Sequence, residues 1–354
     1  MKTEELLREA VERGAADIFL IPGMPLSYRI GGRIIYRSEE KIYPKESESI
    51  VEEIYQLAGS RDMTKVRTHG DDDFSMAIPG VSRFRANVFR QRGSLAAIIR
   101  VITFDLPDFG ELHIPSPVMD VARMTKGFVL VTGPAGSGKS TTLACIIDEI
   151  NRTRNVHVIT LEDPIEYLHR HNKSVVTQRE IGIDTDSYVS GLRAALRQAP
   201  DVILVGEMRD DETIKTAMTA AETGHLVIST LHTVGAANTI DRIIDNFPPA
   251  QQQQIRAQIS MVMQAVISQQ LIPALDGTEV PAFEIMFFNN AIRNLVREAK
   301  IHQIDNIIST SQDEGMITMD NSLIRLYRDG IISRDNAVIY SNNSELMEKK
   351  LARL

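Results

Sequence analysis

The sequence is poor in cysteine and aromatic residues and has no long apolar run. Cys145 is the single cysteine among 354 residues, and tryptophan is absent. One thiol excludes an internal disulfide and a zinc site made of several cysteines, and it suits a reducing compartment. Apolar runs such as 95–99 and 128–131 are far shorter than the roughly 20 residues that a membrane-spanning helix needs. We therefore expect a chain without a transmembrane segment.

The net charge and the first ten residues limit the expected partners and the expected localisation of the protein. The formal net charge is −8, which opposes binding to polyanions, so a nucleic-acid partner is not expected. Residues 1–10 are acidic where a secretory signal would be basic and then apolar. The composition, 43% hydrophobic and 24% charged, is typical of a globular protein, and the length predicts two domains. We therefore expect a cytoplasmic globular protein.

The first region, residues 1–102, has the pattern of a small α+β domain. Apolar residues at helical spacing predict one helix near 3–13 and another near 46–57. Gly31-Gly32 lies between two apolar segments and predicts a hairpin turn, because glycine accepts the positive φ values required. Strands are expected near 18–20, 26–30, 34–36, 74–78, 84–89 and 95–101.

The periodicity changes after this domain. Residues 103–117 are broken by three prolines and a glycine, which predicts an interdomain linker that acts as a hinge. Between 118 and 272, short apolar runs alternate with helical segments, which predicts a parallel sheet covered by helices. The apolar residues from Ile255 to Leu271 lie on one helical stripe and predict a single long amphipathic helix. Residues 273–354 are predicted to be mostly helical.

Residues 133–140 match the phosphate-binding pattern G-x-x-x-x-G-K-[ST]. They follow an apolar run and open a helical segment, which is the context that the pattern requires. The glycines let backbone N–H groups close around phosphate, Lys139 neutralises β and γ oxygens, and the Ser140 hydroxyl ligates Mg²⁺. The predicted nucleotide-binding residues here are Gly133, Pro134, Ala135, Gly136, Ser137, Gly138, Lys139, Ser140 and Thr141. The sequence therefore predicts a site for ATP and Mg²⁺.

Two predicted strands end in carboxylates. Residues 202–205 lead through Gly206 to Glu207, the candidate Walker B acid and Mg²⁺ ligand, bound directly or through water. Residues 159–161 lead to Glu162, the leading candidate for the catalytic base. Ligands of open α/β sheets collect at the carboxyl edge, so both acids are expected near the P-loop. Which of the two activates water stays open at this point.

Two histidines flank the predicted strand at 226–229. His225 precedes it and His232 follows it. An imidazole at a strand end can bond a γ-phosphate and sense its loss, but a lone histidine is as often structural. Both are candidate catalytic residues.

Arginines are concentrated near the end of the first domain. They are Arg83, Arg85, Arg90, Arg92 and Arg100. Arg83 and Arg85 share one face of a strand. Guanidinium groups can stabilise γ-phosphate charge from a neighbouring subunit, so arginine fingers and a solvated edge strand are both open interpretations.

The order of the motifs resembles that of the secretion ATPases of the type II secretion and type IV pilus superfamily. The P-loop, 162–164, 206–210 and 223–232 look like the family's Walker A, Asp box, Walker B and His box. Residues 291–298, Ala-Ile-Arg-Asn-Leu-Val-Arg-Glu, look like a C-terminal signature of its pilus-retraction branch, with valine in place of isoleucine. The similarity runs nearly end to end.

This resemblance implies a PAS-like N-terminal domain, a RecA-like P-loop ATPase domain and a C-terminal helical region. It also implies a homohexamer whose nucleotides are closed by arginines of the N-terminal domain, foremost Arg85 and Arg100 and then Arg83 and Arg92. His232 would report the γ-phosphate. The implied function is ATP-driven retraction of type IV pili, in which the ring pulls on an inner-membrane platform protein from the cytoplasmic face, alone or beside a paralogous motor ATPase.

Three alternatives stay open. An assembly or type II secretion ATPase is the nearest, but such relatives usually have a longer N-terminal region and a four-cysteine zinc element, whereas this chain has one cysteine. A nucleic-acid translocase would show DNA-stimulated and steeply salt-dependent activity. A regulatory ring would bind ATP and barely turn it over. The sequence favours retraction.

Overall fold

The computed structural model describes residues 3–102, 106, 108–208 and 210–353. The chain divides into two compact units, Met1–Asp105 with Glu166–Leu168, and Leu106–Ile165 with His169–Leu354. Of the predicted linker, positions 103–105 and 107 lie outside the described residues, as does position 209 of the predicted Walker B motif. In the second unit, Leu112 and Ile114 pack against an apolar core, so this end of the predicted linker is part of that unit.

The first unit is an α+β fold with one antiparallel sheet. Its elements are α1 (Thr3–Glu12), β1 (Asp17–Leu20), β2 (Pro25–Ile30), β3 (Arg33–Lys41), α2 (Pro44–Leu57), α3 (Thr64–His69), β4 (Asp71–Ile78), β5 (Ser82–Gln91) and β6 (Ser94–Ile102). The strand order is β3-β2-β1-β6-β5-β4. Alternating residues of β4 and β5 are buried, so one face of the sheet packs on a core that includes α1 and α2. The predicted α+β character is confirmed, while α3 was not foreseen.

The second unit is built on a sheet of seven strands. Its first elements are α4 (Ser116–Met119), a 3₁₀ turn (Asp120–Arg123), β7 (Gly127–Thr132), α5 (Lys139–Thr153), β8 (His157–Glu162), β9 (Val175–Glu180), α6 (Tyr188–Ala195), β10 (Val202–Val205), α7 (Asp211–Glu222), β11 (Leu226–Leu231) and α8 (Ala236–Asp245). They are followed by α9 (Pro249–Val262), β12 (Met263–Pro273) and β13 (Glu279–Phe287). The order is β13-β12-β7-β11-β10-β8-β9, parallel throughout except for β13.

Both faces of this sheet are covered. Phe128 and Leu130 of β7 belong to one apolar core, while Val129 and Val131 belong to another. A parallel strand buried on both faces is uniformly apolar, which is why the sequence shows short continuous runs rather than alternation. The predicted α/β architecture is confirmed. Among the described residues, none of the helices has the length and apolarity to span a bilayer.

The prediction of one long helix through Leu271 is wrong. Helix α9 ends at Val262, and β12 follows directly and lies inside the sheet between β7 and β13. Val266 packs into one core, and Ala265 and Ile267 pack into the other. Apolar residues that cover both faces of a strand coincide here with a helical stripe, so periodicity alone could not separate the two.

The last part of the chain is mostly helical, but it also supplies β13. Its helices are α10 (Asn290–Arg297), α11 (Ile304–Thr310), α12 (Met319–Arg328), α13 (Arg334–Ile339) and α14 (Ser344–Leu351), with 3₁₀ turns at Ile301–Gln303 and Gln312–Glu314. Glu284 of β13 is buried and accepts backbone N–H bonds from Ala236 at 2.7 Å and from Met319 at 3.2 Å. Burial raises the pKa of this carboxyl. Through these two hydrogen bonds, the Glu284 carboxylate attaches the first residues of α8 and α12 to the sheet.

Candidate active site

The P-loop joins β7 to α5 in the second unit. Gly133, Gly136 and Gly138 have φ values of 138°, 78° and 84°, in the region that favours glycine. A Cβ atom on Gly133 would collide with the backbone carbonyl of Gln269, and one on Gly138 would lie 2.9 Å from Gln269 Nε2. All three glycines are therefore favoured by conformation, and Gly133 and Gly138 are also required by the close approach of β12.

The polar groups of this loop suit a polyphosphate. Lys139 is buried, and its Nζ donates to the carbonyl oxygens of Gly133 at 2.9 Å and Pro134 at 2.8 Å. The buried Ser137 hydroxyl has no hydrogen-bond partner within the described part of the chain. Loop N–H groups at the start of a 15-residue helix add positive potential. A buried ammonium and an unsatisfied hydroxyl at a helix N-terminus fit a bound phosphate chain.

A cavity of about 380 Å³ lies beside the P-loop. Its walls are formed by Glu111, Leu112, His113, Ile114, Gly138, Thr141, Thr142, Gln269, Leu271, Glu279 and Pro281. His113 has a φ of 54°, uncommon for a residue with a side chain and more frequent at functional sites. The sequence analysis placed 111–114 in a linker and Gln269 in a helix, so it missed most of these walls. Of the residues that form these walls, only Gly138 and Thr141 were predicted from the sequence to bind the nucleotide.

Glu207 and His232 come together at the carboxyl edge of the sheet. Glu207 follows β10 and His232 follows β11, and His232 Nε2 lies 3.5 Å from Glu207 Oε2. The two strand ends are locked by hydroxyls, since Ser229 Oγ donates to Val205 O at 2.6 Å and Thr230 Oγ1 to Gly206 O at 2.5 Å. The Gly133 N–H donates to the carbonyl of Leu231, which attaches the P-loop to the same edge.

Glu162 ends β8 and is held by two neighbours. Thr160 Oγ1 donates to Glu162 Oε1 at 2.6 Å, and Gln178 Nε2 donates to the same oxygen at 3.2 Å. The Oε1 of Gln178 in turn accepts the backbone N–H of His169 at 2.8 Å, which fixes the orientation of the amide. Burial lowers the pKa of His169 to about 4. Strand β9, which carries Gln178, was not foreseen from the sequence.

Strand order distinguishes the two acids. β11 lies between β7 and β10, and β8 lies one strand further out. With strands about 4.8 Å apart, β10 is about 10 Å and β8 about 14 Å from the P-loop strand. Glu207 is therefore better placed for a metal beside the phosphates, and Glu162 for a water beyond them.

Gly206 occupies the position where many P-loop proteins have aspartate. A Cβ atom there would lie 3.1 Å from Tyr188 Oη, 3.2 Å from Leu161 O and 3.4 Å from Glu162 Cα. The space beside Gly206 is therefore tight, because β8 and α6 border it, and a larger side chain would require these neighbours to shift. Glu207 stays the candidate Walker B acid.

A catalytic role for His225 at this P-loop is not compatible with its position. It precedes β11, at the opposite edge of a sheet whose neighbouring strands run parallel. Its Nδ1 lies 2.9 Å from Ala220 O, and its carbonyl accepts the N–H of Gly127. The two histidines are separated by a strand of about 20 Å, so His225 joins α7 to the sheet instead.

The arginine candidates lie on the first unit. Arg85 and Arg100 are directly opposite one another on β5 and β6, so their side chains project from the same face. Arg85 pairs with Asp73 at 2.6 Å, and Arg100 pairs with Asp17 at 3.1 Å. Arg83 lies on the same face of β5 as Arg85. Arg92 lies in the turn between β5 and β6 and has a φ of 48°.

No cluster of three or more histidine, cysteine or acidic side chains that could cage a metal occurs within residues 3–102, 106, 108–208 and 210–353. Mg²⁺ keeps several waters and is bound through one or two protein groups together with phosphates. Ser140 and Glu207 remain the protein groups predicted for it.

Comparisons with known proteins identify the family of this chain. Residues 2–318 match the family model described as Type II/IV secretion system protein. The chain is 44% identical over 337 residues to the type IV pilus retraction ATPase PilT of Pseudomonas aeruginosa, covering 95% of this chain and 97% of that protein. It is 50% identical over 276 residues to a twitching motility protein of Neisseria gonorrhoeae, covering 78% and 74%.

Solved structures give the same result. A crystal structure of the pilus retraction motor PilT with bound ADP superposes with a TM-score of 0.90 at 45% identity, covering 100% of both chains. The ATPase DotB of Legionella pneumophila follows with a TM-score of 0.76 at 29% identity, covering 95% and 94%. The resemblance read from the motifs is confirmed: the chain belongs to the type II/IV secretion system protein family.

Proposed function

We propose that this protein is an ATP-hydrolysing motor that drives retraction of type IV pili. The observation that carries the proposal is end-to-end similarity to a retraction ATPase, at 44% identity over 95% of the chain. The P-loop geometry supports ATP as the substrate, because its buried lysine, unsatisfied hydroxyl and glycines form a phosphate cradle.

The signature helix supports the retraction branch. In α10, Ile292 and Val296 are buried, and Asn289 caps the helix by accepting the N–H of Ile292 at 3.1 Å. Arg293 donates to the carbonyls of Ser260 and Met261 at 2.7 and 3.2 Å, near the end of α9. The residues that resemble the retraction signature thus include one arginine that secures the α9–β12 junction.

The positions of the side chains support the following catalytic steps. Lys139 leaves the loop carbonyls and neutralises β and γ oxygens, while Ser140 and Glu207 hold Mg²⁺, which supplies further positive charge when bound. Glu162, oriented by Thr160 and Gln178, holds the attacking water in line and takes its proton. His232, beside Glu207, reports the γ-phosphate.

The 380 Å³ cavity accommodates the nucleoside. Leu112, Ile114, Leu271 and Pro281 offer apolar walls for a base, and Thr141 lies at the phosphate end. Arg85 and Arg100 of a neighbouring subunit would exchange their aspartate partners for phosphate oxygens as a homohexameric ring closes.

The ring would act in the cytoplasm at the inner face of the membrane. There it pulls on the pilus platform protein, alone or beside a paralogous motor, and movement of one domain against the other across the predicted linker 103–117 converts hydrolysis into force.

The test is a count of surface pili by electron microscopy in a strain lacking this protein, complemented with wild type or Lys139→Ala. More and longer pili, reversed only by wild type, are expected. Bald cells would assign the protein to assembly, and an unchanged count would refute the pilus role.

Assembly is the second candidate function. The type II secretion proteins E of Xanthomonas campestris and Pseudomonas aeruginosa match 68% of this chain at 32% and 34% identity. These matches cover only 43% and 48% of those longer relatives, whereas the retraction ATPase is covered almost completely. The coverage favours retraction.

A further inference from the structure

Gln269 touches the P-loop at three places. Its Oε1 accepts a hydrogen bond from Thr142 Oγ1, in the first turn of α5, at 2.7 Å. Its backbone carbonyl closes the space beside Gly133, and its Nε2 lies 2.9 Å from the Cβ position of Gly138. One residue of β12 therefore contacts the first glycine, the last glycine and the helix that follows.

The bond to Thr142 sets the orientation of the side-chain amide. With Oε1 accepting the hydroxyl proton, the Nε2 group points toward Gly138 and borders the 380 Å³ cavity. Gln269 is only 3% exposed, and burying a polar side chain is costly unless its groups are bonded.

We propose that Gln269 is a positioning residue of the nucleotide site: it holds both ends of the P-loop against β12 and donates its Nε2–H to an oxygen of the bound nucleotide. This role rests on the proposed function in that a nucleoside phosphate fills the P-loop and the adjoining cavity. It explains why positions 133 and 138 accept no side chain, since the amide and backbone of Gln269 occupy that space.

The test compares Gln269→Glu with Gln270→Glu. Glutamate keeps the volume and still accepts from Thr142, but it removes the donor and adds a negative charge next to the phosphates. Gln270 is the next residue on β12 and projects from the other face of the sheet, so it is the matched control. Isothermal titration with ADP gives the dissociation constant of each variant between pH 5 and 8, and thermal unfolding without nucleotide verifies the fold.

We expect Gln269→Glu to weaken ADP binding by about tenfold or more at pH 8, because a hydrogen bond to a charged group is lost and repulsion is added. The loss should shrink as pH falls, because protonation removes the charge and restores a donor. Gln270→Glu should bind within twofold of wild type throughout. A packing role alone would give no such pH dependence.

Thr142→Val provides a second route if Gln269→Glu does not fold. Without the hydroxyl the amide loses the bond that orients it, so ADP binding should weaken by a few-fold. Where Gln269→Glu does fold, the double variant should lose less than the sum of the two single variants. ADP affinity of Gln269→Glu equal to wild type at every pH would overturn the role of Gln269. Wild-type protein that binds ADP but releases no phosphate from ATP would overturn the proposed function and leave this comparison valid.

Discussion

Two carboxylates of the first unit and the P-loop of the second unit differ in how their polar groups are bonded. In the first unit the carboxylates are matched by cations: Asp72 is bonded to Tyr55, Arg61 and Lys65, and Asp17 pairs with Arg29 and Arg100. In the second unit Lys139 donates to carbonyls of its own loop, and the buried Ser137 hydroxyl beside it has no hydrogen-bond partner within the described residues. Internally matched charge stabilises a fold, whereas imperfectly matched polar groups mark the place prepared for a ligand.

Replacing Lys139 should have the largest effect. Lys139→Ala removes the buried charge that meets the phosphates, and steady-state phosphate release from ATP should fall by about a thousandfold, while the melting temperature changes little. Lys215→Ala, on the exposed side of α7, is the control and should keep full activity. If the Lys139→Ala variant still hydrolysed ATP at the wild-type rate, the polar groups of the P-loop would not be the place prepared for the nucleotide.

Glu162→Gln should separate binding from turnover. Loss of the base is expected to lower ATP hydrolysis by about a hundredfold, with Mg-ATP affinity retained, because the amide keeps the size of the side chain. Glu207→Gln should instead weaken Mg-ATP binding. Single-turnover kinetics and equilibrium binding measured on both variants give the assignment, and the reverse pattern would exchange the two roles.

In the first unit, Asp72→Asn should change stability and leave the P-loop chemistry unaltered. Burial would raise the pKa of Asp72, but bonds from Arg61, Lys65 and Tyr55 outweigh it and hold the pKa below its usual range. Its stabilisation is therefore present above pH 4 and is lost as pH falls through the lowered folded-state pKa. We expect a loss of about 2 kcal/mol at pH 7, less than a fully buried pair would lose, since both cations are partly exposed.

The measurement for Asp72→Asn is urea unfolding of both proteins between pH 3 and 7. The difference in the free energy of unfolding between the two proteins should narrow as the pH falls below 4, because wild-type Asp72 is increasingly protonated there. A constant difference across this range would mean that the stabilisation does not come from the carboxylate charge.

Gln178→Ala should have the smallest effect. Without this amide, Glu162 loses one of the hydrogen bonds that orient it, so turnover should fall by about tenfold with nucleotide affinity unchanged. Gln178→Glu should be at least as slow, because it places a second negative charge beside the base. Equal turnover in all three proteins would show that Gln178 does not orient Glu162.

Much of the site could be predicted because its motifs are local in sequence. A P-loop requires a strand, a glycine turn and a helix within about 25 residues, and all three were recognisable. The carboxylates after β8 and β10 could be placed because parallel strands share one edge. The position of His225 at the amino end of β11, away from the P-loop, could not be anticipated from its residue type alone.

The remaining contacts depend on residues far apart in the chain. Gln178 reaches Glu162 from a strand 16 residues later, and Gln269 reaches Thr142 across 127 residues. The helical spacing of Ile255, Ile259 and Val262 continues by coincidence into β12, so the sequence pattern concealed the strand that lines the P-loop. Sheet pairing, which is non-local, decided the outcome.

Strand β12 also joins two distant parts of the second unit. Near one end, Gln264 accepts from Arg293 of α10 at 3.3 Å, and five residues later Gln269 adjoins the P-loop. This segment spans about 17 Å of extended backbone, bonded along both sides to neighbouring strands and hence stiff along its length. The strand therefore couples α10 mechanically to the P-loop: when the signature helix moves along the direction of β12, the nucleotide loop moves with it.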